Sequence, residues 1–186
     1  MRRRRPALAV VALAAVLTAA CGGDDGDAGD GAPTSVVNEA RCLDADESAM
    51  PRVDLLFAAV DAVEAFYGSE QRYYEISVDR QRVSVIVADD AGNAAQSFYC
   101  GDAGFGPPES LGEASGATFV ADDLDLDPDR VLSGIEEELD DPTVIDFVIQ
   151  AAPDGVLYDA TVQSDAGGVL LILLSPTGDV LAVQAT

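Results

Sequence analysis

From Met50 onward the apolar positions of the chain switch between two periods. Leu56, Val60, Val63 and Tyr67 recur at helical spacing on one face, with Asp54, Asp61 and Glu64 lying away from it. Pro51 suits a first helical turn, Asp54 favours the positive helix end, and Gly68 stops the helix. The period then drops to two. Tyr74, Ile76 and Val78 alternate with Glu75, Ser77 and Asp79, then come Val83, Val85 and Val87, and then Ala94 to Cys100. Arg80-Gln81 and Gly92-Asn93 sit where hairpin turns belong, Gly101 to Gly116 reads as a long loop, and Ala117 to Ala121 offers a fourth strand.

The same order recurs in the second half. Asp127 caps and Pro128 opens a helix through about Leu139, with Val131, Leu132, Ile135 and Leu139 inward and Pro142 beyond it. Strands are predicted at Val144 to Ile149, Val156 to Gln163, Val169 to Leu174 and Val180 to Ala185. Pro153-Asp154-Gly155, Asp165-Ala166-Gly167 and Pro176-Thr177-Gly178 mark the turns between them. Val87 and Asp90-Ala91-Gly92 overlay on Val162 and Asp165-Ala166-Gly167, and the shared element order points to a duplication. The expected fold is α+β: two tandem units, 49–121 and 122–186, each one helix packed on a four-stranded antiparallel sheet.

Ahead of the units, Arg2 to Arg5 form a positive start and Ala7 to Thr18 a nearly all-apolar stretch. The stretch is well short of the ~20 residues a membrane span needs, so residues 1–20 read as an export signal. Leu17-Thr18-Ala19-Ala20-Cys21 resembles the lipobox of bacterial lipoproteins, with Thr18 where Leu is more usual. That resemblance implies cleavage after Ala20, lipidation of Cys21 and extracytoplasmic anchoring to the cell membrane. An ordinary secretory signal with an incidental Cys21 is the alternative. Residues 21–48 open on Gly, Asp and Ala from Gly22 to Gly31, a composition that buries nothing and reads as a disordered acidic tether. Cys42 and Cys100 are then two thiols in an oxidising compartment. A disulfide between them, closing ~58 residues and worth about 4 kcal/mol in the chain-entropy model, is favoured over free buried thiols.

Charge narrows the function classes. The 186 residues hold 34 acidic and 10 basic groups, no histidine and a formal charge of −24. Losing Arg2 to Arg5 with the leader makes the mature chain more negative still. Such a surface repels nucleic acid, which is excluded as a partner, and leaves the lipid anchor as the route to the membrane. Without His or Lys there is no imidazole or Schiff-base catalysis. The acidic surface also suits high salt, while the absence of Lys follows equally from a GC-rich genome.

The candidate chemistry reduces to a few clusters. The run from Asp122 to Asp129 places carboxylates near EF-hand spacing, but Arg130 stands where the glycine belongs, so a solvated helix cap is the reading. Glu136-Glu137-Glu138 splay over different helix faces and make a poor acid–base pair. No catalytic residue, metal ligand or cofactor site is expected. Aromatics concentrate at Tyr67, Tyr73, Tyr74, Phe98, Tyr99 and Phe105. Most belong to packing, and outward members such as Tyr73 and Tyr99 are the candidates for anchoring a partner.

The duplicated helix-and-meander order resembles PepSY-type domains and secreted β-lactamase-inhibitor proteins, with Thr177-Gly178-Asp179-Val180-Leu181 similar to the last hairpin of PepSY units. The resemblance covers residues 50–186 in topology and only those five in motif. It implies an extracytoplasmic, non-enzymatic interaction or inhibitory module with a protein partner. A carrier or sensor of a small apolar or cationic ligand is the alternative, and a carboxylate hydrolase the third.

Overall fold

The first helix forms as its pattern dictates. A single 3₁₀ turn at Val53–Leu55 runs into α1, Leu56–Tyr67, which buries Leu56, Ala59, Val60 and Val63. Gly68 ends it at φ 73°, a left-handed conformation open to glycine, with its N–H on the Glu64 carbonyl at 2.8 Å. This computed structural model describes Cys42 and residues 47–153, 155–164 and 167–185. The leader 1–20, Cys21 and the tether up to residue 46 other than Cys42 lie outside the described residues, as do Asp154 and Asp165-Ala166 in two of the expected turns.

Eight strands follow: β1 Arg72–Val78, β2 Val83–Ala88, β3 Asn93–Tyr99, β4 Glu109–Glu113, β5 Thr143–Ala152, β6 Gly155–Gln163, β7 Val169–Leu174 and β8 Val180–Ala185. All pair antiparallel in one sheet of order β4-β3-β2-β1-β5-β6-β7-β8. This overturns the expectation of two tandem units, each with its own four-stranded sheet. Each half is a meander running outward, and the two meanders are joined at the centre by β1 and β5, with Glu75 opposite Gln150 and Val78 opposite Phe147. The physical reason is the sheet edge. Two separate sheets would leave β1 and β5 each with a row of unpaired N–H and C=O groups, and pairing them satisfies both rows at once. One buried cluster therefore spans both halves, from Val53 and Val63 through Ile76 and Phe147 to Ile172 and Leu174.

Two further elements depart from expectation. The second helix contracts to α2, Ser133–Glu138, because Pro128 to Leu132 form turns ahead of it. The fourth strand of the first half lies at Glu109–Glu113, inside the segment read as a loop. Phe119, from the segment read as that strand, makes only a bridge to Tyr73, their backbones exchanging bonds of 2.8 and 3.0 Å.

Cys42 and Cys100 form a disulfide with Cα atoms 5.4 Å apart, closing a separation of 58 residues. Both cysteines are buried, with Phe98 packed against them. The Arg82 guanidinium sits over the Phe98 ring at 4.5 Å, a cation–π contact.

The turn between β7 and β8 is where Thr177-Gly178-Asp179 finds its structural reason. The Asp179 carboxylate accepts hydrogen bonds from the Thr177 and Ser175 hydroxyls at 2.8 and 3.0 Å, and the Ser175 N–H bonds the Asp179 carbonyl at 2.9 Å. The closed turn docks backbone-to-backbone on α2. A Cβ on Gly134 would overlap the Gly178 carbonyl, and one on Gly178 would overlap the Arg130 carbonyl. At Gly92, by contrast, φ is +83° but nothing lies within 4 Å. In urea denaturation Gly92→Ala is therefore expected to cost about 1–2 kcal/mol, the left-handed penalty alone. Gly134→Ala, which adds no φ strain of its own, is expected to cost ~3 kcal/mol because backbone must shift.

Candidate interaction surface

Both tyrosines expected to anchor a partner sit on the helix side of the sheet. A bulge between Tyr73 and Glu75 in the β1–β2 register inserts one extra residue, so the inward alternation holds at Ile76 and Val78 but passes from Tyr74 to Tyr73. Tyr73 is consequently 0% exposed, its hydroxyl donating to Glu64 at 3.1 Å and its ring 5.6 Å from Phe119. Burial, and next the Glu64 carboxylate, push its phenol far above the ordinary tyrosine range. Tyr99 pairs with core-facing Val83, bridges Phe105 and packs half-buried on the core's rim. Tyr73 is thus withdrawn as a surface anchor. The aromatics that do reach solvent among the described residues are Phe57, Phe66, 52% exposed, and Tyr67; Phe66 and Tyr67 make an edge contact with centroids 5.3 Å apart, with Phe105 5.6 Å from Phe66.

Two members of the acidic run close local turns. Asp123 accepts from the Val120 N–H at 3.0 Å and Asp127 from the Asp129 N–H at 3.0 Å. Among the described residues no three Cys, Asp or Glu side chains converge as metal ligands would. A crevice of about 450 Å³ lies between the Val53–Leu55 turn and α2, lined by Asp54, Asp129 and Glu136 among others. Asp54 is held by the Arg52 guanidinium through bonds of 2.9 and 2.8 Å, which keep its carboxyl below the usual range.

The carboxylates with raised pKa lie elsewhere, on the sheet face away from α1 and α2. In-register residues form rows across this face. Ser77, Val148, Asp159 and Leu173 make one row over β1, β5, β6 and β7. Glu75, Gln150 and Leu157 flank it on one side, and Asp146, Thr161 and Leu171 on the other. None of these belongs to the helix-side core. Asp159 is only 8% exposed between Val148 and Leu173, and burial alone raises its carboxyl. Glu75 is raised by burial first and by the charge of Asp146 second. One carboxylate oxygen of Asp146, Oδ1, is buried with no hydrogen-bond partner. The ion pairs resolved among the described residues, Arg52–Asp54, Arg80–Glu47 and Arg82–Asp79, do not involve these three acids.

Sequence reasoning missed this cluster because Glu75, Asp146 and Asp159 come from three strands and meet only through β1–β5 and β5–β6 pairing. A half-buried polar residue between apolar ones, as in Leu157-Tyr158-Asp159-Ala160, was the available signal.

A scan against models of protein families gives no match, and a search among curated proteins gives none. Among solved structures, the chain is similar to a candidate lipoprotein from Clostridium difficile 630. The two share 17% identity at a TM-score of 0.47, over 76% of this chain and 96% of that one. The PepSY-type resemblance finds no support in these comparisons.

An acid whose folded pKa is raised holds its proton more tightly folded than unfolded. It therefore destabilises the fold above its folded pKa and ceases to do so as the pH falls through it. Asp159→Asn is expected to raise Tm at pH 7 by about 2–6 °C, for a buried unpaired charge worth ~1–2 kcal/mol. The advantage should shrink on acidification as the native Asp159 takes up its proton. Calorimetry of both proteins across pH 4 to 7, with about unit steps, reads the difference; an unchanged or lower Tm at pH 7 refutes it.

Proposed function

We propose that the chain is a non-enzymatic, extracytoplasmic interaction module, tethered to the membrane through a lipidated Cys21, that receives a protein partner on the sheet face away from the helices. The observation that carries this reading is the character of that face. Val148, Leu157, Leu171 and Leu173 surround Asp159, only 8% exposed, and Asp146, one oxygen of which is buried without a partner, and no ion pair resolved among the described residues reaches either acid. A patch of aliphatic side chains around a few desolvated charged groups resembles the energetic centre of protein interfaces more than ordinary solvated surface. The lipobox residues up to Cys21 supply the anchor in this reading.

A carrier would need an apolar chamber between helix and sheet. That space is filled by fully buried Leu56, Val63, Ile76 and Val83, and nothing favours a second reading.

The test is recovery of the membrane-anchored protein from its own cells after cross-linking, with intact mass on the eluate. A lipid-sized mass increment that disappears in Cys21→Ala is expected, along with a stoichiometric protein. Leu171→Ser should reduce capture of that protein by at least ~tenfold, while Phe66→Ser, on the helix side, leaves it unchanged. Capture lost in Phe66→Ser and retained in Leu171→Ser would move the docking surface to the exposed aromatics. Unmodified secreted protein would overturn the anchor.

A further inference from the structure

Asp146 and Asp159 lie diagonally across the β5–β6 ladder. Asp159 is opposite Val148 and Asp146 is opposite Thr161, so the two carboxylates are one diagonal step apart on the same face. Diagonal neighbours in an antiparallel pair sit about 7–8 Å apart at the backbone, within the span of a single guanidinium held between them. Asp159 is only 8% exposed, and no hydrogen bond or ion pair to its carboxylate is resolved among the described residues. Asp146 presents a buried oxygen that no group among the described residues satisfies. Buried carboxylate oxygens are ordinarily paired or hydrogen-bonded, so the unsatisfied Asp146 Oδ1 beside the enclosed Asp159 is costly to the isolated chain.

Three other occupants fit less well. A metal ion lacks ligands, since no third Cys, Asp or Glu converges among the described residues. An anionic or nucleic-acid partner meets the wrong charge. A purely apolar partner would bury the carboxylates further and leave them unpaired, which is the worst outcome energetically.

We infer that the sheet face takes a basic protein segment whose arginine side chain enters between Asp146 and Asp159, with aliphatic neighbours of that arginine seated on Leu171 and Leu173. This rests on the sheet face being the docking surface. Arginine suits the place better than lysine because its planar fork can bond two carboxylates at once and is more weakly hydrated. Leu171, Leu173 and Val148 then keep water from the pair, the arrangement in which a charge pair contributes most to an interface. Glu75, whose carboxyl responds to Asp146, extends the acidic track along the β1–β5 seam and favours a segment with a second basic residue.

A chain of formal charge −24 attracts any cationic peptide, so the test must separate site from field. Isotope-labelled full-length protein is titrated in about 0.15 M salt, where exposed charges are screened beyond ~8 Å, with the peptide Leu-Val-Arg-Val-Leu and with its neutral citrulline analogue. Amide shifts at Val148, Asp159 and Leu173 report occupancy. Asp159→Asn and Asp146→Asn are each expected to weaken binding at least ~tenfold, and citrulline to do the same. Glu137→Gln, which removes one charge from α2, should change affinity less than ~twofold. Equal, small effects of Asp159→Asn and Glu137→Gln would overturn the arginine subsite. Binding lost in Leu171→Ser but retained in Asp159→Asn would keep the sheet face and overturn the cationic anchor. Binding indifferent to both would overturn the two together.

Discussion

The pairing of β1 with β5 is the constraint on which the rest of the molecule depends. It joins two meanders into one sheet, gives both halves a common core, and fixes which side chains face the helices. The pairing is short, Glu75 to Val78 against Phe147 to Gln150, and each strand carries a bulge just before it begins. Bulges bend a strand and increase its twist, so the two first strands run together only over this seam and then diverge. Where β1 leaves the seam, the backbone of Tyr73 finds Phe119 instead. The connection from edge strand β4 back to central β5 thus supplies the hydrogen bonds that β5 does not.

That crossing connection also delivers the second half's helical cover. Val131 and Leu132 reach the core from the turns ahead of α2, and Ile135 from α2 itself, a short helix that could not stand alone, since six residues barely close a turn and a half. What holds it is the close approach of two glycines, Gly134 in α2 and Gly178 in the β7–β8 turn, whose backbones leave no room for a side chain between them. The Ser175, Thr177 and Asp179 side chains lock that turn by local hydrogen bonds. The Thr-Gly-Asp sequence is accounted for by turn closure and helix docking.

Local patterns in the sequence were read accurately where a residue's neighbours along the chain decide its state. Leu56, Val60 and Val63 are buried as their spacing implies, Gly68 ends α1, and β7 and β8 occupy Val169–Leu174 and Val180–Ala185 as expected. The Cys42–Cys100 bridge formed as favoured. What failed was non-local. Period-two alternation is the same whether a strand pairs within its own meander or across to another, so one sheet could not be told from two. A single bulged residue reversed the facing of Tyr73, and with it the candidate anchor. The acidic cluster was invisible for the same reason: Glu75, Asp146 and Asp159 look like three ordinary polar positions until register brings them to one face.

The distribution of positive charge explains why no ion pair resolved among the described residues reaches those three. The chain has no lysine, and its resolved pairs are local: Arg52 holds Asp54 two residues on, Arg82 holds Asp79, and Arg80 reaches Glu47 beside the β1–β2 hairpin. None of these pairs extends to the centre of the opposite sheet face. Salt screens exposed charges well but acts weakly on a carboxylate as withdrawn as Asp159, so high ionic strength relieves the general repulsion without relieving this local cost. An apolar or amide residue at the same position would remove the cost at little structural expense, since Val148 and Leu173 already flank it. In the proposed reading the group that compensates this charge belongs to the partner, so the isolated fold carries the cost that the complex would relieve.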